Sequence, residues 1–222
     1  MSTPGTVGNT RKLNFMSNQL SKDVTLVFMF EPLTKGKLFS DIFPVCWKVM
    51  KFRAGSIDNG LAMYTADTGF LIPQVDSGNI VFSSSARRCQ SGQVCELVTE
   101  DGDNFLKAPV KAENADNIVQ CKVKTDFPAT LGFGIFDKSG TRMEPIFTWT
   151  DIPKGDTLSL ALTPKLKIYA VTDIKVNQVL KGEVQSPKLF EENLIELPPL
   201  SKWEVYIEEN TNAVRIRSAT SS

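Results

Sequence analysis

The feature that most constrains this chain is a two-residue alternation of apolar and polar side chains, broken at short intervals by turn-forming residues. Successive side chains of a strand point to opposite faces, so this period sends one set into a core and the other into water. No segment carries an apolar stripe of helical period over three turns. Residues 24–30, Val-Thr-Leu-Val-Phe-Met-Phe, read as a strand buried on both faces. Residues 45–52 set Val45, Trp47 and Val49 against Cys46, Lys48 and Met50. Windows at 79–84, 94–99, 118–123, 131–136, 146–150, 157–162, 167–171 and 203–207 continue the pattern with Val, Ile, Thr and aromatic residues.

Turn signals separate these windows. Asp58-Asn59-Gly60, Asp76-Ser77-Gly78-Asn79, Ser91-Gly92, Asp101-Gly102, Asp137-Lys138-Ser139-Gly140 and Lys154-Gly155-Asp156 all contain residues that tolerate positive φ. The stretch 96–106 reads as a hairpin closed by Asp101-Gly102 in a type I′ turn, and 134–143 as a second hairpin with a longer loop. About ten short strands at this spacing predict an all-β fold, a single-domain antiparallel β-sandwich or flattened barrel with minor helix. The helix is expected as a turn near 38–42 and again within 186–200, which opens on Ser186-Pro187 and stops at Pro198-Pro199. A flexible arm over 1–20, a β domain over 21–217 and a flexible tail over 218–222 complete the expected organisation.

Several function classes drop out on composition. Histidine is absent, which removes Ser-His-Asp and Cys-His nucleophile systems and His-ligated zinc. Lys plus Arg number 25 and so do Asp plus Glu, a balance that argues against nucleic acid or an anionic membrane as partner. The apolar run at 26–30 is far short of a spanning helix, which needs roughly 20 residues. With no apolar stretch after Arg11 and Lys12, a soluble cytoplasmic protein without membrane insertion is expected. The chain lacks G-x-G-x-x-G, a P-loop, H-E-x-x-H and G-x-S-x-G, so no motif asks for catalysis. Glu31, Glu144, Glu191 and Glu192 are the carboxylates from which an acid–base pair would have to come. Asp101, Asp103 and Asn104 lack the further ligands of a calcium loop and read as a turn, and no metal is expected. Arg87-Arg88 reads as an exposed basic loop. Cys89 and Cys95 bracket a Ser-Gly turn, so free thiols and a local disulfide are both open; the spacing does not suit zinc.

The aromatic residues lean toward a function. Fourteen Phe, three Trp and three Tyr include one group around Phe28, Phe30, Phe39, Phe43, Trp47 and Phe52 and another at Phe133, Phe136, Phe147 and Trp149. Core packing between two sheets explains such groups. Sheets that splay at one end would instead leave an apolar cavity for a long ligand, with Lys48 or Arg53 meeting an acidic end.

Short stretches also carry a resemblance. Phe43-Pro44-Val45-Cys46-Trp47-Lys48-Val49, Gly78-Asn79-Ile80-Val81, Gly92-Gln93, Thr163-Pro164-Lys165-Leu166-Lys167-Ile168-Tyr169 with Thr172-Asp173, and Asn193-Leu194 before Trp203 resemble a family of small all-β proteins of mushroom-forming fungi. Cys46 departs from the small residue of that pattern. The resemblance implies a non-enzymatic carrier of a non-covalently bound polyene pigment. The resemblance assigns no contact residue; from the aromatic groups and nearby cations the candidate ligand-binding residues are Phe28, Phe30, Trp47, Lys48, Arg53, Trp149 and Tyr169, and the partner is an apolar small molecule. The alternative is a fruiting-body lectin or defence protein that binds carbohydrate through aromatic and Asn or Asp side chains at loop tips.

Overall fold

A computed structural model describes residues 10–32, 41–76, 79–113, 116–161 and 163–219. The first strands are β1 (Arg11–Asn18), β2 (Val24–Phe30), β3 (Ile42–Pro44), β4 (Lys48–Phe52), β5 (Ile57–Tyr64) and β6 (Thr68–Asp76). The middle of the chain forms β7 (Ile80–Arg88), β8 (Gln93–Glu100), β9 (Asp103–Leu106), β10 (Val110–Lys111), β11 (Ile118–Lys124) and β12 (Ala129–Phe136). It ends with β13 (Met143–Ile152), β14 (Thr157–Ala161), β15 (Lys165–Ala170), β16 (Lys188–Asn193), β17 (Leu200–Glu208) and β18 (Ala213–Ser218). The fold is all-β, and no helix occurs among the described residues.

Among the described residues, four sheets run in the orders β18-β17-β1-β5, β10-β8-β11-β14 with β9 paired to β8, β3-β13-β12-β6-β7, and β16-β15-β2-β4. Most neighbours are antiparallel. Two pairs depart from that expectation, since β1 with β17 and β8 with β11 run parallel. One buried cluster joins residues of all four sheets, among them Leu13, Phe28, Cys95 and Phe133. Rings interlock across it edge to face, with Phe15 5.2 Å from Phe28 and Phe190 4.8 Å from Trp203.

Both anticipated hairpins form. Asp101 (φ 53) and Gly102 (φ 89) turn β8 into β9 with the two positive φ values of a type I′ turn. β12 and β13 pair from Phe136 and Met143 outward.

Other expectations are corrected. The arm assigned to 1–20 enters the fold as β1, because Leu13 and Phe15 point into the core and both neighbouring strands pair with it. Residues 1–9 lie outside the described residues, as do 38–40 of the expected helical turn; Ile42 opens β3. The 186–200 segment carries β16 instead of a helix, since Phe190 on that strand packs against Phe15 and Trp203. Of the expected tail, Ser218 pairs with Trp203, and 220–222 lie outside the described residues. Asp58-Asn59-Gly60 is not a turn but the middle of β5, where a side chain on Gly60 would put its Cβ 2.6 Å from the sulfur of Met50. Arg87 and Arg88 end strand β7 instead of forming a loop. Arg88 pairs with Asp67 at 2.8 Å and lies over the Phe136 ring, while Arg87 donates to the carbonyl of Leu106.

Candidate ligand-binding site

β2 has two apolar faces, and they serve different cores. Phe28 and Phe30 point into the main cluster, where Phe30 stacks obliquely on Trp47 at 5.1 Å. Val27 and Met29 point the other way, where Tyr169 of β15 joins them with Cys46 and Leu180 beneath the segment 171–184. Tyr169 is therefore separated from the Phe28–Phe30–Trp47 group by its own sheet. Trp149 lies in the same main cluster, its ring 6.1 Å from that of Phe147. Phe147, Phe30, Tyr64, Ile135 and Ile146 surround a void of about 10 Å³, the room of a single water.

The two candidate cations are engaged elsewhere. Lys48 bonds to Glu144 and lies 5.4 Å from the Trp47 ring centre, so its charge is matched at the rim of the core. Arg53 is largely exposed and pairs with Asp58 at 2.8 Å, on the solvent side of the β4–β5 corner. The seven residues thus form a packed core group of Phe28, Phe30 and Trp47 with Lys48 at its edge. Trp149 lies in the same main core, whereas Tyr169 and Arg53 stand apart from it.

Open space lies on the outer face of the β3-β13-β12-β6-β7 sheet. In β12, Leu131, Phe133 and Ile135 face the main core, and Gly132, Gly134 and Phe136 face outward. A Cβ on Gly132 would come within 2.7 Å of Leu71, and one on Gly134 within 2.9 Å of Met143. The two glycines therefore let Leu71 and Met143 sink onto the sheet, where they form a second cluster with Val45, Val81 and Phe136. This cluster floors a groove of about 480 Å³, within the range of small-molecule sites. Phe82, half exposed, and Pro145 wall it, and Ser83, Ser85 and Thr141 offer hydroxyls. Asn177 closes one end, held by its N–H to the Cys46 carbonyl and by its own carbonyl to the Val81 N–H, both 2.8 Å. Arg142 stands at the groove with an exposed guanidinium that makes no ion pair among the described residues. Its position is set by Asp137, whose N–H donates to the Arg142 carbonyl at 2.9 Å.

The sequence flagged Phe136 in an aromatic group but gave no sign of Val81, Phe82, Arg142, Met143, Pro145 or Asn177. The Gly-Phe-Gly-Ile-Phe run at 132–136 was the available signal, because alternate glycines strip one face of a strand.

Two further grooves are of similar size. One, of about 610 Å³, lies between β4 and the segment 172–176 and presents Lys51 and Lys175 with Val49 and Ile174. Another, of about 560 Å³, lies beside the β8–β9 hairpin and holds Asp103, Asn104, Asp126 and Phe127, a residue 80% exposed.

Of the four carboxylates weighed for acid–base work, Glu31, Glu144 and Glu191 are held by cations. Glu31 bonds to Lys167 at 2.7 Å and to Lys165 at 3.1 Å, which lowers its pKa, chiefly through the Lys167 hydrogen bond. Glu191 bonds to Lys165 and Lys188, which hold its carboxyl down at about 2. Among the described residues, every carboxylate with a displaced pKa is displaced downward, toward the charged form and away from a general acid. No cluster of His, Cys, Asp or Glu among the described residues is arranged to hold a metal ion, and no described helix is long and apolar enough to cross a membrane.

Compared with known proteins, the chain matches no family model, no curated protein and no solved structure, so a functional reading rests on its own residues and geometry.

Proposed function

We propose that this protein is a non-enzymatic binder of an elongated apolar molecule with an acidic end, polyene-like in class, held on the outer face of the β3-β13-β12-β6-β7 sheet. The observation that carries the reading is the groove itself: an apolar floor of Val81, Phe136 and Met143 beside the guanidinium of Arg142, which makes no ion pair among the described residues. The apolar body covers the floor and the Phe82 ring, and the carboxylate meets Arg142 with help from the Ser83 and Ser85 hydroxyls. Among the described residues, the space beside Phe30, Tyr64 and Phe147 is a void the size of a single water. A groove on a sheet face asks for no opening of that core.

The test is titration with a fluorescent conjugated-tetraene fatty acid. The expected result is saturable binding that weakens about tenfold in Arg142→Glu and in Phe82→Ala, as loss of a charged contact or a large apolar wall predicts. Absence of binding, or binding that neither substitution alters, would overturn the proposal.

A second reading has one observation behind it. The exposed Phe127 ring, flanked by Asp103, Asn104 and Asp126, pairs an apolar platform with hydrogen-bonding groups that suit a sugar ring. Glycan-array binding lost in Phe127→Ala and retained in Arg142→Glu would favour it over the first.

A further inference from the structure

Three of the four cysteines meet in one place. Cys95 on β8 and Cys121 on β11 are direct partners across the parallel pair, so their side chains share a face. Directly paired residues on neighbouring strands stand about 4.8 Å apart, inside the Cα separation that a disulfide spans. Cys89 reaches the same spot from the end of β7. Its N–H donates to the Thr68 carbonyl at 3.0 Å, and its own carbonyl accepts from the Thr68 hydroxyl at 2.9 Å. Residues 90–93 then turn back, with Gly92 at φ 79 bonded to the Ile118 carbonyl, and deliver the chain into β8. Cys89, Cys95 and Cys121 share one buried cluster, and the Cys89 thiol donates to the carbonyl of Gln120, the residue before Cys121, at 3.9 Å. All three are fully buried and reduced, whereas Cys46 lies apart among Val27, Met29 and Leu180.

A row of three thiols has a property that a pair lacks: its middle member has two partners and can bond to only one. We propose that Cys95 is the shared sulfur of a latent disulfide site, which a hydroperoxide closes either to Cys89 or to Cys121. In the first step a thiol sulfur takes an oxygen from hydrogen peroxide, giving a sulfenic acid and one water. The neighbouring thiol then displaces the second oxygen as water and forms the S–S bond. Two thiol hydrogens are lost, and one peroxide is reduced to two waters. The thiol left over lies beside the new bond, so its thiolate can attack the Cys95 sulfur and release the other partner, moving the link without further oxidant. A link to Cys89 pins the 89–95 turn to β8, and a link to Cys121 staples β8 to β11. The neighbouring Cys95 and then burial push the Cys89 thiol pKa up, and Cys121 and burial push that of Cys95 up, so the site reacts slowly at neutral pH and faster as pH rises.

The experiment treats the full-length native protein with hydrogen peroxide, blocks remaining thiols with iodoacetamide and maps the peptides by mass spectrometry. The expected wild-type products have each lost two hydrogens and form a mixture, some molecules linked 89–95 and others 95–121, with Cys46 alkylated. Cys89→Ala retains only 95–121, Cys121→Ala retains only 89–95, and Cys95→Ala forms neither. Oxygen gained on separate cysteines without a link, a link to Cys46, or a link that survives in Cys95→Ala would each overturn the proposal. Because the wild-type map alone separates these outcomes, a variant that fails to fold does not leave the question open.

Discussion

Trp47 donates its indole N–H to Glu144 across 2.7 Å, and the Lys48 ammonium binds the other oxygen of the same carboxylate. Trp47 leads into β4 and Glu144 lies on β13, so one side chain ties two sheets together where the main core meets solvent. Glu144→Ala leaves a buried indole N–H without an acceptor and a lysine without its counter-charge. The expected loss is about 2–3 kcal/mol, read as a lower urea midpoint at unchanged slope. Glu144→Gln keeps an acceptor for Trp47 and is expected to lose about half as much.

Two glycines test how tightly the sheets are fitted. An alanine at Gly69 would place its Cβ 2.2 Å from the backbone carbonyl of Arg87, which cannot move without breaking the β6–β7 ladder. Gly69→Ala is expected to cost about 3 kcal/mol or more. At Gly60 the obstacle is the flexible Met50 side chain, so Gly60→Ala is expected to cost about 1 kcal/mol, with Met50→Ala recovering part of it. Thermal unfolding of the three variants checks the order.

The ion-pair row Glu31–Lys165–Glu191–Lys188 sets an acid limit. Glu191 titrates at about 2 when folded against 4.5 in its unperturbed state, mainly through its bond to Lys165 and next to Lys188. A depressed carboxylate adds stability above its unfolded pKa and loses it as pH falls through the folded one. The urea midpoint is therefore expected to drop between pH 4.5 and 2, less steeply in Glu191→Gln and at high salt. With no histidine in the chain, it is expected to stay nearly level between about pH 5 and 8.

Phe82 separates binding from folding. It is 49% exposed at the groove wall, so Phe82→Ala is expected to change stability by no more than about 0.5 kcal/mol while weakening the apolar ligand. Parallel urea titration and ligand titration of the same preparation check both halves.

What the sequence disclosed follows from where period-two patterning is strong. β2 runs over 24–30 as read, because both of its faces are buried and its residues are nearly all β-formers. The β8–β9 hairpin was legible from Asp101-Gly102 alone. β5 was not, since Ile57 and Leu61 face solvent while Gly60 and Asp58 face neighbours, which inverts the usual alternation. β16 was hidden by a Ser-Pro opening that mimics a helix start, although packing of Phe190 decides its conformation. The aromatic residues were correctly seen as grouped, but composition does not distinguish rings that line a cavity from rings that fill one. The outer groove depends on side chains brought together from β7, the β12–β13 hairpin and the 171–180 segment, and no local pattern links them.

β1 is hydrogen-bonded in parallel to β17, with Leu13 beside Ser201 and Ser17 beside Val205. During synthesis β1 emerges early and gains its antiparallel neighbour β5 soon after, yet its other edge has no mate until residue 208 has left the ribosome. That bare edge is open to strands of other nascent chains, so this architecture makes rapid completion of translation, or shielding by a chaperone, a condition for a clean yield of folded protein.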